Sequence, residues 1–412
     1  MTGTALVIGG GIVGSSAAFF LAGAGLRVTL VDNEDTGAAT LAGAGIVAPG
    51  ASLRPPGPWL DLALRAGAFY PGFIAELHAE GVSETGFDTP GLLFLATDAA
   101  EQDKLGDVRR IIEERRDAGA APNGTAQAGT AQAGTTATGT ALTGAALTGE
   151  VSELGGAEVR RLFPPAAPGC HAVHVPGAAR VNGRTLLAAL RAGLRRRGGT
   201  VITGRGSLVV EAGGLGGAGG LGGAGWSVRV EGRAVGADVV VCATGAWTYA
   251  WDDVEGVNVP VYPQRGQIVH LDMAPAPTGG WPIVTGFGSH YLLSFPQSRV
   301  VVGATREDHA GFDYRVTAGG QAEVLREALR VAPGLAAASV VETRIGFRPA
   351  SPDGLPIIGR LAGRSGAVVA TGLGASGLAL GPYVGALAAG LARGQQSPLD
   401  LTPFGPERFA AG

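Results

Sequence analysis

Residues 4–32 read TALVIGGGIVGSSAAFFLAGAGLRVTLVD, and the rest of the chain is arranged around them. Ala5 to Ile8 is a short apolar run, the pattern of a buried parallel strand. Gly9, Gly11 and Gly14 follow at GxGxxG spacing, Ser15 to Ala24 has the length and apolar content of a helix, and Arg27 to Val31 is a second apolar strand closed by Asp32. Each glycine has a physical task. Gly9 permits a tight turn, Gly11 lets the backbone approach a pyrophosphate, and Gly14 lets helix and strand pack closely. A pyrophosphate is held by the positive N-terminus of the helix. Asp32 can accept hydrogen bonds from the ribose hydroxyls of an adenosine and disfavours a 2′-phosphate. The order of strand, glycines, helix, strand and acid therefore predicts a site for an adenine dinucleotide other than NADP. The plain alternative, a glycine-rich turn in a chain rich in alanine and glycine, leaves the terminal acid unexplained.

With 412 residues there is enough chain for two domains and a large core. A net charge of −3 gives no general attraction to nucleic acid or an anionic membrane. Two cysteines, Cys170 and Cys242, provide neither a disulfide framework nor a metal cluster. No secretory leader is visible ahead of the first strand, so a cytoplasmic location is expected. The abundance of glycine, with Lys104 the only lysine, reads as coding bias. The apolar stretch from Gly366 to Gly394 imitates a membrane span, but its TGLGASG turn and Pro382 fit a strand followed by a buried helix better. Its GxxxG pair, Gly381 and Gly385, is read as close helix-on-sheet packing.

Past Asp32, residues 33 to 50 form a loop crowded with small side chains from Ala39 to Gly45, as if something flat and bulky pressed on the backbone. Helices are expected over 61–81, with Leu62, Phe69, Phe73 and Leu77 inward, and over 100–118 and 185–197; GLLFLA, 91–96, reads as a strand. Residues 119–150 are low-complexity and read as a surface insert without chemistry. A glycine tract, 213–225, joins SLVVEA to WSVRV as a hairpin; WSVRV and the strand 237–243 then complete a meander, and DVVVCATG brings small residues to a second cofactor approach. From Trp247 to about Val340 the pattern is that of an antiparallel sheet with a covering helix over 321–331. The end of the chain carries Arg344 and Arg348 on one segment, and then a strand, a glycine turn and a helix start that can face a flavin anion.

Together GGGIVGSSAAFFLAGAGLRVTLVD, GAGIVAP, PQRGQIVHL, VVVGATREDHAGFD, GFRPASPDGLPIIG and TGLGASGLALGP resemble the D-amino-acid oxidase superfamily. They are similar in particular to glycine oxidases and bacterial D-amino-acid dehydrogenases. The resemblance spans the chain except the two low-complexity tracts. It implies an α/β fold: a Rossmann-like FAD-binding domain plus an antiparallel-sheet (α+β) substrate domain, discontinuous in sequence. The FAD domain would comprise 1–88, 170–245 and 341–412, and the substrate domain 89–169 and 246–340. By motif match, Gly9, Gly11, Gly14 and Asp32 hold the ADP part of FAD, with Ile12 and Asn33 beside them. Ala39, Thr40, Gly43, Ala44, Gly45 and Ile46 line the way to the isoalloxazine, Gly245 closes the DVVVCATG approach, and Gly372, Gly374, Ala375, Ser376, Gly377 and Leu378 cover the pyrimidine edge. Arg348 matches the arginine that forks a substrate carboxylate, and Tyr291 the tyrosine that helps bind it. Cys170 and Cys242 lie outside the family's attachment segment, so FAD is expected to be non-covalent. No metal is expected.

The implied reaction is oxidative deamination or dehydrogenation of the C–N bond of a small amino or imino acid, of glycine, sarcosine or D-amino-acid type. A hydride passes to flavin N5, and O2 or another acceptor takes the electrons. A specialised amine oxidation of secondary metabolism belongs to the same class. Such chemistry asks for orientation more than for a strong acid or base. The planar fork of Arg348 suits a carboxylate, though the residue could instead pair with Asp353. Tyr291 could equally be core, among Leu292, Leu293 and Phe295; Trp247, Tyr249 and Trp251 could wall the site or pack between domains. His290 should point away from Tyr291, because side chains alternate along a strand. Arg344 is expected in a salt bridge. Two alternatives stand beside this reading: an NAD-dependent dehydrogenase and a non-catalytic flavin-binding subunit. The expected partners are the small substrate and an electron acceptor, without nucleic acid or membrane span; a homo-oligomer is compatible.

Overall fold

The strand Thr4–Ile8 lies inside a six-stranded sheet ordered Ile357–Arg360, Ala367–Thr371, Val239–Cys242, Thr4–Ile8, Arg27–Asp32, Thr200–Thr203. All neighbours pair in parallel except the antiparallel edge, Ile357–Arg360. The computed structural model describes residues 3–120, 149–210, 226–251, 258–361 and 366–409. Most of both low-complexity tracts, 121–148 and 211–225, lies outside the described residues.

The central strands read as continuous apolar runs because both faces are covered. Ala5, Val7, Leu30, Val241 and Val368 pack on helices, among them Ile12–Gly23 and Gly377–Ala392. Leu6, Ile8, Val31, Val240 and Val369 pack on the other side, where Val228 of a three-stranded antiparallel sheet meets them. That small sheet is Gly206–Val210, Trp226–Val230 and Arg233–Val235. The hairpin across the glycine tract is therefore present, but the meander ends at Val235. Val239–Cys242 crosses instead to the centre of the large sheet, between Thr4–Ile8 and Ala367–Thr371. Its run VVVC carries the continuous apolar character of a doubly covered strand.

A second sheet has eight strands, ordered Ser339–Ala350, Tyr262–Asp272, Arg299–Gly303, Tyr291–Phe295, Ile283–Gly286, Leu92–Ala96, His171–Val175, Ser152–Leu154. It is antiparallel apart from the pairing of Ile283–Gly286 with Leu92–Ala96. The helix Ala318–Val331 covers one face through Val324 and Ala328. The boundaries expected at 170 and 341 fall across this sheet, since His171–Val175 and Ser339–Ala350 both hydrogen-bond within it.

Two contacts join the sheets where the site forms. The Phe347 N–H donates to the Gly37 carbonyl at 2.9 Å. A Cβ at Gly346 would stand 2.8 Å from Ala42 Cβ, so the long strand lies directly on the small-residue segment after Asp32. The helix Gly377–Ala392 corrects one expectation. Its GxxxG face packs on another helix, not on the sheet: Cβ atoms at Gly381 and Gly385 would come within 2.6 Å of Ile12 and 2.5 Å of Ser16. Residues Gly374–Ala392 are long and apolar enough to cross a membrane by length and composition; in this fold Leu380, Val384 and Ala388 are fully buried.

Candidate active site

One cleft runs from the tips of the parallel strands to the eight-stranded sheet and holds about 1760 Å³ of empty space, counting its open mouth. At one end are Gly9, Gly11, Ile12, Asp32 and Asn33. Ala39, Thr40, Gly43, Ala44, Gly45, Ile46 and Gly245 line its middle, with Gly374, Ala375, Gly377 and Leu378 opposite. Tyr291 and Arg348 stand in the same cleft. Three expected residues do not line it. Gly14 packs instead, since a Cβ there would stand 1.8 Å from the Gly9 carbonyl oxygen. Gly372 turns the chain with φ +74 against Ile357, and the Ser376 N–H donates to Leu373 O within the same turn.

The dinucleotide end fits an adenine dinucleotide. Gly9 has φ +94, and a Cβ there would meet Ala243 O at 2.3 Å, so only glycine allows this turn. The helix Ile12–Gly23 starts at the cleft, where its first N–H groups have no intrahelical acceptors. The Ile12 N–H is taken by Thr40 Oγ1 at 3.0 Å, which ties the small-residue segment to the helix start. Asp32 is ion-paired with Arg191, whose other terminal nitrogen reaches Glu34 at 3.4 Å. Sequence reading placed Arg191 only in a helix with a basic C-terminal end and missed this partner. Position 191 lies on the Gly183–Arg196 helix with two buried residues beside it, Leu190 and Leu194, and only the fold aims it at Asp32.

At the other end Arg348 is a cation among neutral acceptors. Its Nη1 donates to Thr305 O at 3.0 Å, and more weakly to Gln264 Oε1 at 3.4 Å and Arg265 O at 3.5 Å. The expected alternative partner, Asp353, is engaged by Arg408 at 2.7 Å instead. The side chain faces the cleft yet is closely surrounded by protein. That desolvation lowers its pKa from the usual arginine value; Tyr291 opposes the shift and Arg306 adds to it. Burial likewise raises the pKa of the Tyr291 phenol, against the pull of the Arg348 and Arg306 charges. Tyr291 therefore stays a neutral hydroxyl beside a desolvated guanidinium whose own hydrogen-bond acceptors are neutral; Glu307 acts on that guanidinium through space and raises its pKa, without a direct ion pair. Two glycines make room for Tyr291 and Arg348. A Cβ at Gly303 would stand 2.9 Å from the Tyr291 hydroxyl, and one at Gly266 would stand 2.5 Å from an Arg348 terminal nitrogen.

Trp247 lines the cleft and packs on Phe312 and Phe347, at centroid distances of 5.2 and 6.3 Å. The side chains of Tyr249 and Trp251 lie outside the described residues. His290 sits away from the cleft, 3.3 Å from Glu323, and Arg344 pairs with Glu342, as expected of each. Cys170 and Cys242 are free, buried and not part of the lining, which agrees with non-covalent cofactor binding. Arg306 lines the cleft and went unnoticed in the sequence, where it is one letter of GATRED.

Over residues 4–391 the sequence matches the family described as DAO, FAD dependent oxidoreductase. The chain belongs to this family of FAD-dependent oxidoreductases. It is 40% identical over 402 residues to the uncharacterized oxidoreductase YurR of Bacillus subtilis (strain 168), across 97% of this chain and 98% of that one. The crystal structure of iminodiacetate oxidase (IdaA) from Chelativorans sp. BNC1 is similar at 39% identity, with 98% of each chain covered and a TM-score of 0.84. Glycine oxidase from Geobacillus kaustophilus is similar in structure at 26% identity, with both chains fully covered and a TM-score of 0.79. Membership of the DAO family makes the dinucleotide FAD and overturns the NAD alternative.

Proposed function

We infer that this flavoenzyme oxidises the C–N bond of a small amino or imino acid, held by its carboxylate on Arg348 and Tyr291. One observation carries the reading: a desolvated guanidinium with only neutral acceptors opens into the same cleft as the dinucleotide site. A desolvated charge with no direct ion pair is costly, and an incoming carboxylate offsets that cost. The fork of arginine binds a carboxylate in two places and so fixes its orientation. Similarity to enzymes named glycine oxidase and iminodiacetate oxidase supports the same substrate class, and the latter favours a secondary amine.

Bound FAD supplies a two-electron acceptor. The chain's own residues bind, orient and exclude water. Arg348 and the Tyr291 hydroxyl anchor the carboxylate; Trp247 and Phe347 give the site an apolar wall. The acids among the described lining residues, Asp32 and Asp35, flank the dinucleotide end, and Glu307, which acts on Arg348 through space, is held by Arg265, Gln267 and Thr305 and does not line the cleft, so no carboxylate base faces the substrate at the Arg348 end. The substrate therefore reacts as its free amine. Its Cα–H bond breaks with both electrons leaving as hydride, the N–H proton goes to water, and a C=N bond forms. Water then adds to that imine and releases an oxo acid and the smaller amine. Dioxygen or another acceptor from solution carries the two electrons away.

The test is an anaerobic panel on the FAD-loaded protein: glycine, N-methylglycine, iminodiacetate, D-alanine and L-proline, each followed by loss of flavin absorbance and by trapping of the oxo acid. At least one carboxylate-bearing amine should bleach the flavin and yield an oxo acid in equal amount. A flavin left oxidised by all of them would sink the assignment and favour a non-catalytic flavin subunit.

A further inference from the structure

Arg306 stands beside the carboxylate anchor, and none of the cleft's acids answers it. Arg348 Nη1 bonds the carbonyl of Thr305, the residue immediately before Arg306. Residues 305–307 run extended beside the strand Tyr262–Asp272, with Arg265 and Glu307 exchanging backbone hydrogen bonds at 3.0 Å each. Alternation along an extended segment sends Thr305 and Glu307 to one side and Arg306 to the other. The two flanking residues do meet on their own side. Thr305 Oγ1 donates to Glu307 Oε1 at 2.7 Å, and Arg265 and Gln267 complete the shell of that carboxylate at 2.5 and 2.9 Å. The next acid, Asp308, is held by Gln264 at 2.6 Å. Both acids near Arg306 in sequence are thus committed elsewhere, and Arg306 itself makes no hydrogen bond or ion pair among the described residues while lining the cleft. An exposed arginine is ordinarily a solvated surface charge. This one shares a cavity with Arg348, a second guanidinium without a direct ion pair, and like charges so placed repel unless an anion lies between them. Arg54, its guanidinium 4.1 Å over the Trp59 ring, adds to the excess of positive charge: desolvation and the Arg306 charge both lower its pKa.

We propose that Arg306 receives a second carboxylate of the substrate, so that the enzyme selects dicarboxylic amines over monocarboxylic ones. This rests on the amine oxidation assigned above and names its substrate class: a secondary amine with a carboxylate arm on either side of the nitrogen. One arm lies on Arg348 and Tyr291, the other on Arg306, and the C–N bond is held between them.

The test compares kcat/KM for iminodiacetate and N-methylglycine in the FAD-loaded wild type, Arg306→Gln and Arg306→Lys. Wild type should favour iminodiacetate. Arg306→Gln should lower that preference roughly 10- to 100-fold, the loss of a charge-assisted hydrogen bond, and Arg306→Lys should restore part of it. A preference unchanged within about twofold in Arg306→Gln, or a wild type that favours N-methylglycine, would overturn the proposal while leaving amine oxidation standing. A wild-type flavin that no amine in the panel reduces overturns both. Binding to the wild type gives an answer independent of variant folding. Oxydiacetate, which has no oxidisable nitrogen, should perturb the flavin spectrum at far lower concentration than methoxyacetate; equal affinity for the two contradicts the second receptor.

Discussion

A methyl group at position 266 would stand 2.5 to 2.6 Å from three atoms of the Arg348 guanidinium, closer than real contacts allow. Gly266→Ala should therefore push the fork out of register without touching the dinucleotide end. We expect FAD content to remain and KM for a carboxylate substrate to rise about tenfold or more, since the fork's geometry carries its binding. Steady-state kinetics with flavin absorbance as the occupancy check decide it; an unchanged KM would show that the guanidinium does not rely on this space. Sequence reading reached Arg348 and Tyr291 because RP-x-x-PDGLPIIG and HYLLSFP are distinctive strings. It could not reach Arg306 or Arg191, since each owes its position to what its neighbours do. Thr305 and Glu307 turn Arg306 into the cleft, and the helix Gly183–Arg196 carries Arg191 to Asp32.

Among elements, the pairing of Ile12–Gly23 with Gly377–Ala392 carries the most consequence, because each helix starts at the cleft. Their backbones meet at Gly385, where a Cβ would stand 2.5 Å from Ser16 Cβ and 2.7 Å from Val13 O. Gly385→Leu should cost about 1–3 kcal/mol by overpacking and loosen FAD as the first helix shifts. Gly72→Ala offers the contrast: it lies in the helix Pro58–Ala79 with nothing within 4 Å of the added atom, so a gain of about 0.4–1 kcal/mol is expected. Thermal unfolding of both variants, with released flavin measured by fluorescence, checks the pair; a Gly385→Leu protein as stable as wild type contradicts the packing described. The first strand, helix and second strand were legible because periodicity and glycine spacing agree there. The destination of Val239–Cys242 was not, because an apolar run of four residues fits a meander as well as a central parallel strand, and only long-range pairing chooses.

For the molecule as a whole, two sheets meet at one cleft. The parallel sheet provides the dinucleotide end, the eight-stranded sheet provides Tyr291 and Arg348, and the small-residue segment from Ala39 to Gly45, which opens with the short helix Ala39–Ala42, runs between them. The order of motifs was readable in sequence and gave the fold class. The limits at 170 and 341 were not, because strands from both sides of each limit complete the same sheet and pairing partners lie far apart in the chain. With the substrate anchored on Arg348 as proposed, its binding should be separable from retention of the dinucleotide, whose glycine turn and Asp32 lie at the other end of the cleft. The most direct measurement is anaerobic flavin reduction, titrated with the best amine of the panel, in the wild type and in Arg348→Ala. The variant should keep its full complement of FAD while its apparent Kd for the amine rises about 100-fold or more, the loss of a charged two-point contact. An Arg348→Ala protein reduced at wild-type concentrations of the same amine would contradict the central claim that this guanidinium is the substrate's anchor.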